Sequence, residues 1–432
     1  MIVDIVLMIV TMSLIGAAMG TFSGMIPGIH VNTLATMMLA AYGPMECVLE
    51  PFIPTGYVPI AVCCCIVSAA IVHSSVDYVP SVFTGAPDPD DVVSMLPGHR
   101  LLNDGRGMVA VRSAAIGSCV GSCVSIVLAI PLQFLLMNGL GDYLDSITAF
   151  VLCAVVMILV MNEKGIKRMI MSIIILLISG CLGLACMDLD IPCNGIMGDG
   201  TLLFPMLSGL FGMPAMLESL KKSEIVEQYD EDEFPVSPIS GIKGVLMGSL
   251  TGWFPGITST TGSIIGTMFS SVKRAEDFIS MAASIGSASA IMMLTTLSVS
   301  GKGRSGAMMV VEDILGDDVI GILNERFLIL LTTAAIATFI AYRVTIRCGV
   351  VMCDIVSRFD ISKVNRLCLI LIIVLVASFT GPYGIFILIV STMIGFIPIR
   401  FGIGRVYLTG CLLIPTILTF LYAREFVLMS LL

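Results

Sequence analysis

Residues 20–33 read GTFSGMIPGIHVNT, so Pro27-Gly28 stands inside an apolar stretch otherwise suited to one uninterrupted membrane helix. Proline removes a backbone donor and clashes with the preceding turn, and glycine adds backbone freedom. In hydrocarbon no water replaces the lost hydrogen bonds, so such a break persists only where it lines a protected or wet cavity. The break occurs twice. Adding 228 to each number maps GAAMGTFSGMIPGIHVNT (16–33) onto GVLMGSLTGWFPGITSTT (244–261) without a gap. Gly16, Met19, Gly20, Gly24, Pro27, Gly28, Ile29 and Thr33 recur as Gly244, Met247, Gly248, Gly252, Pro255, Gly256, Ile257 and Thr261. A GxxxG pair alone arises by chance; the pattern GxxxGxxxGxxPGIxxxT, twice, marks an internal duplication.

The duplication sits in a chain that is 57% hydrophobic and only 12% charged. Soluble domains carry about 25% charged residues, so the composition is that of an integral membrane protein. Apolar segments recur near residues 2–20, 52–72, 113–137, 147–161, 169–187, 324–342, 367–380 and 404–423, which predicts roughly ten to twelve spanning or half-spanning segments. MIVDIVLMIV at the start carries Asp4 and no positive n-region, so the first segment is expected to be retained as a membrane helix. A net charge of −9 argues against a nucleic-acid partner. No polybasic cluster flanks a span, so the surface is not built to hold anionic lipid. The fourteen cysteines form no CxxC pair and lie mostly in apolar runs; they read as packing residues, not metal ligands.

One acidic, hydrophilic stretch, KKSEIVEQYDEDEFPVSPIS (221–240), divides the chain. The expected organisation is a first membrane repeat at 1–220, a solvated linker at 221–240 and a second repeat at 241–432. Lys164, Lys167 and Arg168, and again Arg343, Arg347, Arg358, Lys363 and Arg366, mark cytoplasmic loops. No Lys or Arg precedes Arg100, which places the N-terminus outside and gives the two repeats opposite orientations.

Each broken segment has three parts. Glycines at every fourth position share a helix face and admit a close neighbour, a packing role. The Pro-Gly pairs, Pro27-Gly28 and Pro255-Gly256, then open the backbone. Two at equivalent positions favour a ligand site over a simple kink. The polar starts of the next half-helices follow: His30, Asn32 and Thr33 in one repeat, and Thr258, Ser259, Thr260 and Thr261 in the other. A helix that begins inside the membrane presents free N–H groups and partial positive charge. Two such ends can hold an anion without a buried Lys or Arg. His30 is the one titratable group in either break and is read as a proton carrier or as a hydrogen-bonded packing residue.

Residues 74–112 and 297–313 are two further polar regions containing Gly105-Arg106 and Gly303-Arg304; they read either as cytoplasmic loops or as loops folding into the pore. Asp77 adjoins an apolar span and is the candidate for binding a coupling cation. No GxSxG, HExxH or P-loop motif occurs, so no enzyme and no cofactor is expected, and transport would be driven by a gradient of Na⁺ or H⁺.

Several blocks resemble the large membrane subunit of the tripartite tricarboxylate transporters, in a shorter form like those of archaea. They are GTFSGMIPGI (20–29), GHRLLNDGRGMVAVRSAAIGS (98–118), ISGCLGLACMD with LLFPMLSGLFGMPAMLESL (178–220) and GWFPGITSTT (252–261). The tail GPYGIFILIVSTMIGFIPIRFGIGRVYLTGCLLIPTI (381–417) also fits. The resemblance implies a permease for small organic anions, with each Pro-Gly break near the substrate. It also implies two partner chains, a small membrane subunit and an extracytoplasmic binding protein.

The expectation is an all-α polytopic integral membrane protein of two homologous, inverted repeats, with Pro-Gly-broken helices near the bilayer midplane. It would sit in the cell membrane among lipid and move a di- or tricarboxylate by ion-coupled alternating access. A lipid-linked phosphate translocase and a non-transporting membrane scaffold are the alternatives.

Overall fold

A helix satisfies its own backbone in hydrocarbon, and the chain is helical almost throughout. The computed structural model describes residues 2–26, 29–84, 95–189, 193–195, 198–199, 201–220, 226, 228–229, 236, 238–269, 274–358 and 361–424. The first half comprises α1 (Ile2–Met25), α2 (Val31–Ala40), α3 (Tyr42–Leu49), α4 (Val58–Val76), α5 (Tyr78–Thr84) and α6 (Met95–Asn103). It continues with α7 (Gly107–Leu135), α8 (Gly141–Met161), α9 (Ile166–Asp188), α10 (Leu203–Leu207) and α11 (Met213–Ser219). The second half comprises α12 (Pro238–Trp253), α13 (Ser259–Phe269), α14 (Ala275–Ser300), α15 (Gly306–Leu315), α16 (Glu325–Arg358), α17 (Ile361–Phe401) and α18 (Gly410–Phe420). Asn194–Gly195 and Gly198–Asp199 form a two-residue antiparallel pairing.

Among the described residues, seven helices are long and apolar enough to cross a membrane. Two are too long for one crossing. Gly107–Met161 runs 55 residues, about 80 Å at ~1.5 Å per residue, against a hydrocarbon core of about 30 Å. Non-helical Asn138 and Gly139 break it, and Gly381 breaks α17 in the same way. Large apolar side chains such as Val6, Phe22, Phe150 and Phe386 are exposed on the outer helices, as a lipid-facing surface requires.

The glycine stripes bring two helix pairs into contact. In the first half α1 lies along α4: a Cβ at Gly16 would fall 2.2 Å from Cys65 O, and one at Gly20 would fall 2.4 Å from Ala69 O. In the second half α12 lies along α14 in the same way, with Gly244 against Met281 and Ser284, and Gly252 against Met292. The partner of each glycine also recurs. Cys65, Ser68 and Val76 correspond to Met281, Ser284 and Met292, a constant offset of 216. Absent side chains let the backbones approach, and dispersion and Cα–H contacts replace the missing hydrophobic drive in lipid.

The halves then interlock. α7 of the first half packs along α14 of the second, where a Cβ at Gly117 would fall 2.0 Å from Ser280 O. Conversely, α16 packs along α4, and Ser75 Oγ pairs with Thr345 Oγ1 at 2.9 Å. The window Val58–Thr84 is accordingly 83% buried, against 39% for α1. Cys63, Cys64 and Cys65 lie in this core with Phe327 and Ala334 of α16. Residues 78–84, expected in a polar loop, fold inward as the buried helix α5. Part of the acidic linker is also docked: Gly107 N–H donates to Gln228 Oε1 at 2.9 Å, and Tyr229 N–H donates to Gly105 O at 2.8 Å.

Gly20→Val should therefore force α1 off α4 and destabilise the protein by about 1–3 kcal/mol, as overpacking does. The exposed neighbour Phe22, replaced by Ala, should leave stability unchanged. Melting of the detergent-purified variants would measure both.

Candidate functional site

Both halves leave their first helix by the same turn. Ile29 N–H donates to Ile26 O at 3.2 Å, and Ile257 N–H donates to Phe254 O at 3.4 Å, again 228 residues on. Pro27 and Gly28 lie outside the described residues. In the second break Gly256 has φ +82°, a left-handed conformation that favours glycine. His30 and Thr258, also 228 apart, occupy the position before each new helix. His30 Nδ1 accepts from Asn32 N–H at 3.1 Å, and Thr258 Oγ1 accepts from Thr261 N–H at 3.4 Å.

The two restarted helices open onto one cavity of about 670 Å³, within the range of small-molecule sites. His30, Asn32 and Thr33 line it from the first half, and Pro255, Gly256, Thr258 and Ser259 line it from the second. Thr260 and Thr261 do not line it. Both are buried in α13 behind the wall, where Thr261 Oγ1 stands 3.4 Å from Thr258 Oγ1. From α4 come His73 and Ser74, from its C-terminal cap Asp77, from α14 Ser289, and from α18 Thr416 and Thr419.

A third helix start faces the same space. α15 begins at Gly306 with Ser305 as its cap, and Ser305 Oγ accepts from Met308 N–H at 3.4 Å. Asn32 Oδ1 accepts from Ala307 N–H at 3.0 Å, so a residue of the first half completes a helix of the second. The loop before α15 folds into the pore rather than out to solvent. Gly303 N–H donates to Glu312 Oε2 at 2.6 Å, and a Cβ at Gly303 would fall 2.4 Å from Met309 N.

Charge enters the cavity from this loop. Arg304 Nη2 donates to Asp145 Oδ1 of α8 at 2.9 Å, and the guanidinium carbon lies 5.7 Å from the centre of the Trp253 ring. Arg304 is thus a cavity residue that the helix starts alone did not point to. The signal was Gly303-Arg304 among small residues, but nothing in the chain order shows that Asp145 meets it. At the rim Arg424 pairs with Asp188.

Two histidines and a further carboxylate also line the cavity. The His30 and His73 rings lie 5.5 Å apart, and Ser23 Oγ and His73 Nδ1 are 2.9 Å apart. Asp77, one turn beyond His73, is 7% exposed. By the 216-residue offset of the helix pairs, His73 and Asp77 correspond to Ser289 and Met293. The two repeats therefore line the cavity unequally: His73 and Asp77 stand where the second repeat has Ser289 and Met293. Among the described residues, no group of three or more His, Cys, Asp or Glu is arranged to hold a metal ion.

The Tripartite tricarboxylate transporter TctA family matches the chain over residues 10–410. The chain belongs to this family. As a TctA-family protein it is a multi-pass membrane protein and a transporter component, not an enzyme. Proteins of this family work with other components, including a substrate-binding protein, in tripartite systems. An uncharacterized protein of Methanocaldococcus jannaschii is 25% identical over 424 residues, covering 94% of this chain and 98% of its own. No solved structure matches.

Asn32 supplies a separable test of the third helix start. Asn32→Ala should lower stability by about 1 kcal/mol through loss of the cap. Asn32→Asp keeps the acceptor and suits the helix dipole, so its melting temperature should equal or exceed the native one.

Proposed function

We propose that this protein carries a small organic anion, a di- or tricarboxylate, across the cell membrane by ion-coupled alternating access. The supporting observation is that α2 and α13, the helices restarted after the two breaks, open onto a single cavity. Their N–H groups and partial positive charges suit an anion. Thr33, Thr258 and Ser259 add hydroxyl donors beside them. Thr260 and Thr261 would act from behind, by fixing the start of α13. Pro27, Gly28, Pro255 and Gly256 keep both backbones open.

The repeats 1–220 and 241–432 are proposed to be inverted, rocking about this shared site. Asp77 is the proposed site of the coupling ion, Na⁺ or H⁺, because an ionisable residue buried in a membrane protein beside a cavity marks a candidate ion pathway. A small membrane subunit and an extracytoplasmic binding protein are the proposed partners, as the family's tripartite organisation suggests.

Uptake of labelled citrate, succinate, acetate and phosphate into proteoliposomes, with Na⁺ and H⁺ gradients imposed separately, tests the reading. Saturable uptake of citrate or succinate under one gradient is expected. Movement of a lipid-linked phosphate without carboxylate uptake would favour a translocase instead. Replacing both Pro-Gly pairs by leucine, a good helix former, should let the helices continue and should abolish uptake without unfolding the protein. Native uptake by that variant would reduce the breaks to packing kinks.

Asp77→Asn separates coupling from binding. Gradient-driven uptake should fall further than exchange of internal for external substrate. An equal loss of both, or none, would remove Asp77 from the coupling role.

A further inference from the structure

Arg304 is tightly held and only partly used. Its side chain is 6% exposed, yet the bond from Nη2 to Asp145 engages a single edge of the fork. Nε is buried and, among the described residues, makes no hydrogen bond. A guanidinium presents five donors in a planar fork that matches a carboxylate through two parallel bonds. The side chain also lines the cavity, and its guanidinium carbon stands 5.7 Å from the centre of the Trp253 ring, a cation–π contact. Asp145 is different: its side chain is 41% exposed, so it returns to water without the penalty of a buried charge.

We propose that Arg304 is the carboxylate anchor of the cavity, and that a substrate carboxylate takes the place of Asp145 on its guanidinium. The proposal rests on the reading of this protein as an anion carrier and names the group that carries the charge recognition. In the empty cavity Asp145 neutralises the buried guanidinium. A bound carboxylate takes over that role and gains the Nε edge that Asp145 leaves unmet. A second carboxylate on the same molecule reaches the helix starts at Thr258 and Asn32, which favours dianions over monoanions. Release of Asp145 also detaches α8 from the loop before α15, so a helix of the first half registers occupancy of a loop in the second.

Trp253 is the chain's single tryptophan, so intrinsic fluorescence reports on the guanidinium beside it. The full-length protein in detergent is titrated with citrate, succinate, acetate and phosphate, with uptake into proteoliposomes measured in parallel. A saturable change with citrate or succinate is expected, weaker with acetate. Arg304→Gln should raise Kd about 10- to 100-fold, the loss of a charge-assisted bond. Arg304→Lys should restore only part of it, because an ammonium lacks the fork. Asp145→Asn should lower Kd about two- to fivefold, since it removes a half-exposed competitor. Should Arg304→Gln fail to fold, Asp145→Asn decides: unchanged or weaker affinity overturns the exchange. Carboxylate uptake with an unchanged Kd in a folded Arg304→Gln overturns the anchor and leaves the carrier reading standing. Binding of phosphate alone overturns the carboxylate assignment. No carboxylate binding or uptake by the native protein removes the carrier reading and the anchor with it.

Discussion

Backbone hydrogen bonding in a solvent that offers none is the constraint from which this architecture follows. It makes the chain helical, and it confines irregular backbone to places where another element or a cavity satisfies it. The breaks after Met25 and Trp253 meet that condition because hydrogen bonds close them locally and their new helix starts face a common cavity. The glycine stripes serve the same end by a different route. By bringing α1 onto α4 and α12 onto α14 at backbone contact, they hold each broken helix against an unbroken one. Strain at the break is then carried by a rigid pair.

Much of this was legible in the sequence, for an identifiable reason. Backbone-level features, such as glycine every fourth residue and proline in an apolar run, have the same consequence wherever they occur, so their duplication exposed the architecture directly. The seven long apolar helices follow equally from local composition. Features that depend on distant partners were not legible. Arg304 meets Asp145 across 159 residues, and Asn32 caps α15 across 275. Thr260 and Thr261 show the reverse limit. They share the composition of the site, yet helical rotation turns them into the wall behind Thr258 rather than toward the cavity.

The cavity also shows what a duplication becomes once its halves share one site. A symmetric pair of helix starts would offer the same chemistry twice. Here the first half places His30, His73, Asp77 and Asp145 around the space, while the second contributes Ser259, Ser289, Lys302 and Arg304. Unlike side chains thus line one space, held by a scaffold in which the contacts of α1 with α4 and of α12 with α14 still repeat.

The interlocking of the halves has a consequence for how the protein is made. α4 is the most enclosed long helix described, yet a large share of its cover comes from α16, synthesised far later. The contact between Ser75 and Thr345 joins residues 270 apart. At about 5–20 residues per second, that separation corresponds to roughly 15–50 s of translation. During that interval α4 sits in the bilayer with Ser75 awaiting its partner Thr345, a state that exposes a polar group to lipid. Biogenesis, rather than the finished fold, is therefore where the polar face of α4 is most vulnerable, and insertion machinery or lipid headgroups must shelter it until the second half arrives.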